Sequence, residues 1–164
     1  MLSAWRLTKT KLLASAWDGQ GARKSGGRWN SVGIAVVYAS GTLSLALVEV
    51  LVHLPSGILP AYSAVRVDFD ESMLTAVERT ELPASWRDHP PPPETRSIGD
   101  RWIAEGSSAV LRVPSVIVPN EFNYILNPSH PAFADISIGE PMPFPFDSRL
   151  PMALGQASAD LARP

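Results

Sequence analysis

Between Asp18 and Asp68 the chain carries one acid, Glu49, and it stands in the most apolar stretch of the sequence, Leu43 to Leu51. Leu43, Ala46, Leu47, Val50 and Leu51 recur at helical spacing, with Thr42 or Ser40 as a cap and Pro55 beyond the end, which predicts a helix from Thr42 to His53. A carboxylate left unpaired inside a protein costs roughly several kcal/mol, so a fold that keeps Glu49 must expose it or use it. The plain alternative is a Glu49–His53 pair, four residues apart on one helical face. Against it, a helix this apolar has only a narrow polar face.

Upstream, Gly26-Gly27-Arg28-Trp29-Asn30-Ser31-Val32-Gly33 reads as a glycine-bent turn leading into a strand at Ile34 to Tyr38. Paired glycines let the Arg28 guanidinium lie close to backbone, where its planar fork can take phosphate oxygens two at a time. Trp29 is read as a packing residue and Asn30 as a turn residue. Tyr38, at the end of the strand, is either a core tyrosine with a bonded hydroxyl or a ring that stacks on a flat cation. Arg6, between Trp5 and Leu7 in a short first strand, points opposite to both and is read as facing a cleft or solvent. Together these are the parts of a pocket for an anionic aromatic ligand.

Two familiar glycine motifs do not fit. Gly19-Gln20-Gly21 starts like a dinucleotide fingerprint, but the third glycine comes late and the loop is read as leading into a strand. Gly21 to Gly26 has the outer spacing of a phosphate-binding P-loop, yet Gly27-Arg28 stands where Lys and Ser or Thr belong.

At 164 residues and 45% apolar content the chain suits one globular domain spanning 1–164, with a core of about 4–150 and a small-residue tail at 151–164 that is frayed or an attachment point. Its apolar runs are short of the roughly 20 residues that cross a bilayer, and Lys9 and Lys11 break the N-terminal stretch, so neither a membrane span nor a secretory signal is expected. The absence of cysteine excludes a disulfide scaffold, thiolate zinc ligation and a cysteine nucleophile, and suits a cytoplasmic protein. A formal charge of −2 lacks the basic excess of a polynucleotide binder, which favours a small anionic ligand.

The remaining elements follow from periodicity. Ala4 to Thr8 and Tyr62 to Phe69 read as strands, Asp18 to Gly27 as a surface loop, and Asp70 as the cap of a short helix through Glu78. Pro90 to Pro93 reads as an exposed extended linker dividing two halves of the domain, and Glu94 to Glu105 as a helix with Ile98, Trp102 and Ile103 on one side. Ala109 to Val118 gives one or two strands interrupted by Pro114, and Phe144 to Asp147 a late edge strand. Strands and helices interleave without strict alternation, which predicts an α+β fold.

A lone acid narrows the chemistry. Glycosidases use two carboxyl groups because the departing oxygen needs a proton. Nicotinamide attached to ribose is already a pyridinium and leaves neutral, so one carboxylate suffices to hold the sugar and offset its developing positive charge. No serine has the glycine frame of a nucleophile elbow, and His53, His89 and His130 lie far apart, so neither a serine hydrolase nor a metal site is expected.

Trp5-Arg6-Leu7, the Gly21 to Gly33 block, Val36-Val37-Tyr38, Ala46-Leu47-Val48-Glu49, Val113-Pro114-Ser115 and Asn123-Tyr124-Ile125-Leu126-Asn127-Pro128 resemble, in order and spacing, the RES-domain family. The resemblance runs from about Trp5 to Arg149. It implies a split β-core like that of ADP-ribosyltransferases with flanking helices, and an NAD-degrading toxin of a toxin–antitoxin pair acting as a glycohydrolase or phosphorylase. By position, Arg28 and Arg6 hold the pyrophosphate, Tyr38 stacks on nicotinamide, Glu49 stabilises the ribosyl cation and Ser115 orients the nicotinamide end, with Ser107, Ser108 and Ser129 as competing serines. NAD is substrate, and no cofactor or metal is implied. The implied partner is a helix-turn-helix, Xre-type antitoxin, with self-association, as a dimer for instance, and no direct nucleic-acid or membrane contact. Docking is expected on the Glu49 helix or near Pro141 to Phe146. The alternatives are an ADP-ribosyltransferase acting on a macromolecule and a noncatalytic nucleotide-binding module.

Overall fold

The structure, a computed structural model, describes residues 1–54, 60–147 and 149–150. The longest pairing is antiparallel, between β1 (Leu2–Lys9) and β3 (Tyr62–Phe69), in register from Leu2↔Phe69 to Lys9↔Tyr62. The register is decided by packing on both faces: Ala4 and Val67 share one cluster and Leu7 and Ala64 another, and a slip of one residue would turn each pair away from its own. β7 (Ser137–Ile138) and β8 (Met142–Phe144) cover the far edge of β3.

On the other side β2 (Val37–Ser40) pairs with β6 (Phe122–Leu126), β6 with β5 (Val110–Pro114), and β5 with β4 (Leu74–Ala76). The strand order is β4-β5-β6-β2-β1-β3-β7, with β8 beside β3. β1 and β2 are joined at one position only, Trp5↔Ser40, so the sheet is split there into two halves. The fold is α+β with a split β-core, as expected.

β4 and β5 form the parallel pair, and a parallel pair needs a crossover. α3 (Pro93–Glu105) supplies it, starting with Pro at its first position and ending at Gly106 in the left-handed region. Trp102 is buried in a cluster with Trp29, Val36, Val77, Leu111, Val113 and Ile125, and Ile98 and Ile103 pack against it. A second cluster, on Val37, Ala39, Val67, Phe69, Val110, Tyr124 and Leu126, fills the opposite face. The third lies under α2 (Leu43–Leu51), where Leu7, Ala46, Tyr62 and Ala64 meet Leu43, Leu47 and Val50.

Several elements differ from expectation. The Asp18 to Gly27 loop contains a short helix, α1 (Gln20–Ser25), started by the Asp18 carboxylate accepting from the Gln20 amide at 2.8 Å. A helix therefore follows Gly19 after all, but it stops at Gly26 and none begins after Arg28. β2 starts three residues later than Ile34, because pairing with β6 begins only at Val37↔Leu126. Asp70 does cap, through Ser72, but only a single 3₁₀ turn (Glu71–Met73), since Leu74–Ala76 is taken by β5. β6 was not anticipated as a strand. The late edge strand is Met142–Phe144, and Pro93 belongs to α3 instead of the linker. The 151–164 tail lies outside the described residues.

Candidate active site

α2 is placed by its first residue. Thr42 caps it by accepting from the Leu45 amide at 3.0 Å and donates its hydroxyl to Glu121 Oε2 at 2.7 Å, tying the helix start to the turn before β6. With Ala46 buried against the sheet, Glu49 lies one turn further along the same side, half-buried. Its Oε1 accepts from Asn123 Nδ2 at 2.6 Å and from Ser115 Oγ at 3.3 Å. Among the described residues nothing donates to Oε2. His53 lies beyond the end of α2, exposed, and makes no pair with Glu49.

Asn123 and Ser115 are themselves held. A carboxylate only accepts, so the Asn123 amide must turn its NH₂ to Glu49, and its oxygen takes the Ser40 hydroxyl at 2.7 Å from the directly opposed position on β2. Ser115 is buried at the end of β5, where its Oγ accepts from the amides of Ile117 at 3.2 Å and Val118 at 3.1 Å. With its lone pairs occupied, its single proton goes to Glu49. Of the competing serines, Ser108 accepts from Trp102 Nε1 at 2.8 Å within the core, and Ser107 and Ser129 are exposed.

Arg28 reaches the site from the Gly26–Gly33 turn. Its Nη1 donates to the carbonyl of Trp86 at 2.5 Å and its Nη2 to that of Asp88 at 3.0 Å, which aims the fork and leaves Nε and one hydrogen on each Nη. Burial lowers its pKa from the usual arginine value, while the charges of Glu49 and then Asp88 act the other way. Glu49 is thus the foremost charge acting on Arg28. No ion pair within 4 Å joins them among the described residues.

Tyr38 props that turn from below. Its hydroxyl donates to Asn30 Oδ1 at 2.8 Å and accepts from the Trp29 amide at 3.2 Å, and a Cβ on Gly27 would fall 2.6 Å from it. Desolvation by burial pushes the phenol's pKa well up. Asn30, fully buried, sends its Nδ2 to the carbonyls of Ala22, Ser31 and Ile34, so it is the lock of the turn more than a simple turn residue. Trp29 is buried in the α3 cluster, as expected of a packing residue.

Arg6 donates from Nη1 to the Tyr38 carbonyl at 2.6 Å and lies 5.9 Å over the Trp17 ring. Its Nε is buried without a partner, and burial lowers its pKa to about 10 against the opposing charge of Asp18. The structure therefore brings Glu49, Ser115 and Arg28 into one neighbourhood, with Tyr38 under Arg28 and Arg6 behind Tyr38. Asn123 is a residue of the site that the sequence reading does not single out. Its signal was a polar amide in a run of buried apolar residues, Tyr124, Ile125 and Leu126.

Cavity size does not single out this cluster. A cavity of about 320 Å³ between Glu78, Arg79, Asn120 and Phe122 and one of about 700 Å³ between Tyr62, Pro143 and Phe146 contain none of these residues. His53 and His89 are exposed, and His130 caps the 3₁₀ helix Pro131–Asp135 through the Ala132 amide. No helix among the described residues is long and apolar enough to cross a membrane.

In fold, the chain is similar to a chain of the Mycobacterium tuberculosis MbcT–MbcA toxin–antitoxin complex, with a TM-score of 0.73 over 96% of this chain and 89% of that one at 14% identity. It is 38% identical over 148 residues to a protein named Toxin Res from Yersinia enterocolitica, covering 89% of this chain and 97% of that protein. A Sphingobium protein named Prs ADP-ribosylating toxin is 37% identical over 154 residues, 90% of this chain and 96% of its own. The family model described as RES domain matches residues 3–147, and the chain belongs to the RES domain family.

Proposed function

We propose that this chain is the toxin of a toxin–antitoxin pair and that it consumes NAD by breaking the bond between nicotinamide and ribose. The observation that carries the chemistry is the half-held carboxylate: Asn123 and Ser115 fix Glu49 Oε1, which leaves Oε2 free for a ribose hydroxyl. Arg28 grips the diphosphate with its remaining donors, and Arg6 adds positive charge behind it. Tyr38 braces the turn and offers its ring face to the nicotinamide end.

As the glycosidic bond breaks, its electron pair moves to the pyridinium nitrogen and nicotinamide departs neutral. The sugar becomes oxocarbenium-like, and the adjacent carboxylate stabilises that charge. Water or inorganic phosphate then bonds to the anomeric carbon, and water gives up a proton to solvent. NAD is spent as substrate and no cofactor takes part. The toxin role is supported by the names of the relatives and by the structural neighbour. A toxin acting on its host's cytoplasmic NAD needs a neutralising antitoxin, for which a helix-turn-helix protein is proposed, and self-association as a dimer completes the assembly.

A second reading has one observation in its favour: the Sphingobium relative is named an ADP-ribosylating toxin. In that reading the same site passes ADP-ribose to a macromolecule. The test is to incubate purified chain with NAD, follow free nicotinamide, and trace label from the adenine end of NAD. Free ADP-ribose or its phosphate supports depletion, and label on protein supports transfer. Should the wild type and Glu49→Gln both bind NAD without releasing nicotinamide, the chain is a noncatalytic nucleotide-binding module.

A further inference from the structure

Residues Trp86 to Asp88 lie between the Arg28 side of the site and the Ser115 side. Residues Ala84–Arg87 form a 3₁₀ turn in which no residue is fully buried, and polar ties hold it on two sides. On one side its carbonyls at Trp86, and then Asp88 just past it, receive the Arg28 guanidinium. On the other, Arg87 Nη2 donates to the Val116 carbonyl at 3.0 Å.

That carbonyl is not an arbitrary acceptor. The Val116 C=O and the Ile117 N–H belong to one planar trans peptide and point in opposite directions. The Ile117 N–H is the one that donates to Ser115 Oγ, and Ser115 in turn donates to Glu49 Oε1. A guanidinium on one end of the peptide therefore sets the tilt of the other end. It also polarises the peptide, which strengthens the bond that the amide makes to the serine.

We propose that Arg87 is a positioning residue for the reaction, acting through the Val116–Ile117 peptide to orient Ser115 and hence the carboxylate of Glu49. The proposal rests on the NAD-cleaving reading for its effect on rate, and on the geometry alone for its effect on the peptide. Arg87 is exposed, so its replacement leaves the core untouched. Lysine at the same place retains one charged donor, and alanine retains none.

Two measurements on the full chain test it. In Arg87→Ala, amide hydrogen exchange at Ile117 and Val118 is expected to quicken about five- to tenfold, with Arg87→Lys restoring most of the protection and the melting temperature unchanged. Nicotinamide release is expected to fall about tenfold in kcat with little change in KM, and the fall is expected to vanish in a Ser115→Ala background. Unchanged exchange at Ile117 overturns the proposal whether or not the chain cleaves NAD. An Arg87→Ala rate loss that is just as large without the Ser115 hydroxyl overturns it as well. A wild type that releases no nicotinamide would sink the proposed function and leave the exchange result to decide the role of Arg87.

Discussion

Asn123 Nδ2 stands 2.6 Å from Glu49 Oε1, joining a strand and a helix that are 74 positions apart in the chain. The pair aims the carboxylate, because Asn123 is itself anchored on Ser40 and cannot turn without losing that bond as well. A hydrogen bond to a charged group contributes about 1.5 to 3 kcal/mol, more than an ordinary neutral one. Asn123→Ala is expected to lower nicotinamide release about 10- to 100-fold while NAD binding changes by less. Steady-state kinetics beside calorimetric binding would check it, and equal losses in both would refute the aiming role.

Tyr38→Phe removes the hydroxyl that serves both Asn30 and the Trp29 amide, leaving two enclosed polar groups unpaired. The expected loss is about 1 to 3 kcal/mol in urea unfolding at neutral pH. The phenol's pKa is raised in the folded state, so its stabilising contribution is complete below pH about 10, the unfolded value. Above that pH the unfolded chain gives up the proton first, and the contribution falls by about 1.4 kcal/mol per pH unit. The gap between wild type and Tyr38→Phe should therefore narrow from pH 10 upward. Arg6, with a folded pKa lowered to about 10, has the opposite slope in that range, but it is common to both proteins and cancels in the difference. A gap that stays constant would show that the phenol is not enclosed.

Gly99→Ala tests packing against propensity. In an ordinary helix interior the change stabilises by about 1 kcal/mol. Here an added Cβ would lie 1.8 Å from the Trp29 carbonyl oxygen, so α3 and the Arg28 turn cannot stay where they are. A loss of about 3 kcal/mol or more is expected in denaturant unfolding. A neutral effect would mean that the two elements are not in contact.

Thr42→Ala removes the cap of α2 and its tie to Glu121. About 1 kcal/mol of stability should go with it, read as a lowered urea midpoint, and Thr42→Ser should recover most of the loss. If Thr42→Ser is as unstable as Thr42→Ala, the cap is not the reason for the residue.

Local pattern made a good part of this molecule legible. The α2 face, the β3 alternation and the α3 stripe of Ile98 and Trp102 all come from periodicities that a short window contains, and Tyr62–Phe69 falls where alternation put it. What local pattern misjudged is equally physical. Leu74–Ala76 had the makings of a continued helix after Asp70, but a parallel partner more than thirty residues away took those backbone groups into a sheet. Asn123 to Pro128 reads as a motif and not as a strand, because the partners of Phe122–Leu126 on either side, β2 and β5, come from distant parts of the chain.

The same division runs through the site. That Glu49 is a costly acid in an apolar helix, and that Arg28 follows two glycines, can be read residue by residue, because desolvation and steric freedom are properties of a side chain and its neighbours. Which groups meet the acid is another matter. His53, four positions along, was the near partner, and Asn123 and Ser115 are the actual ones, brought there by the β5–β6 hairpin closing against α2. A hydrogen bond depends on distance in space to a few tenths of an ångström, and only the closed sheet sets that distance between residues so far apart in the chain.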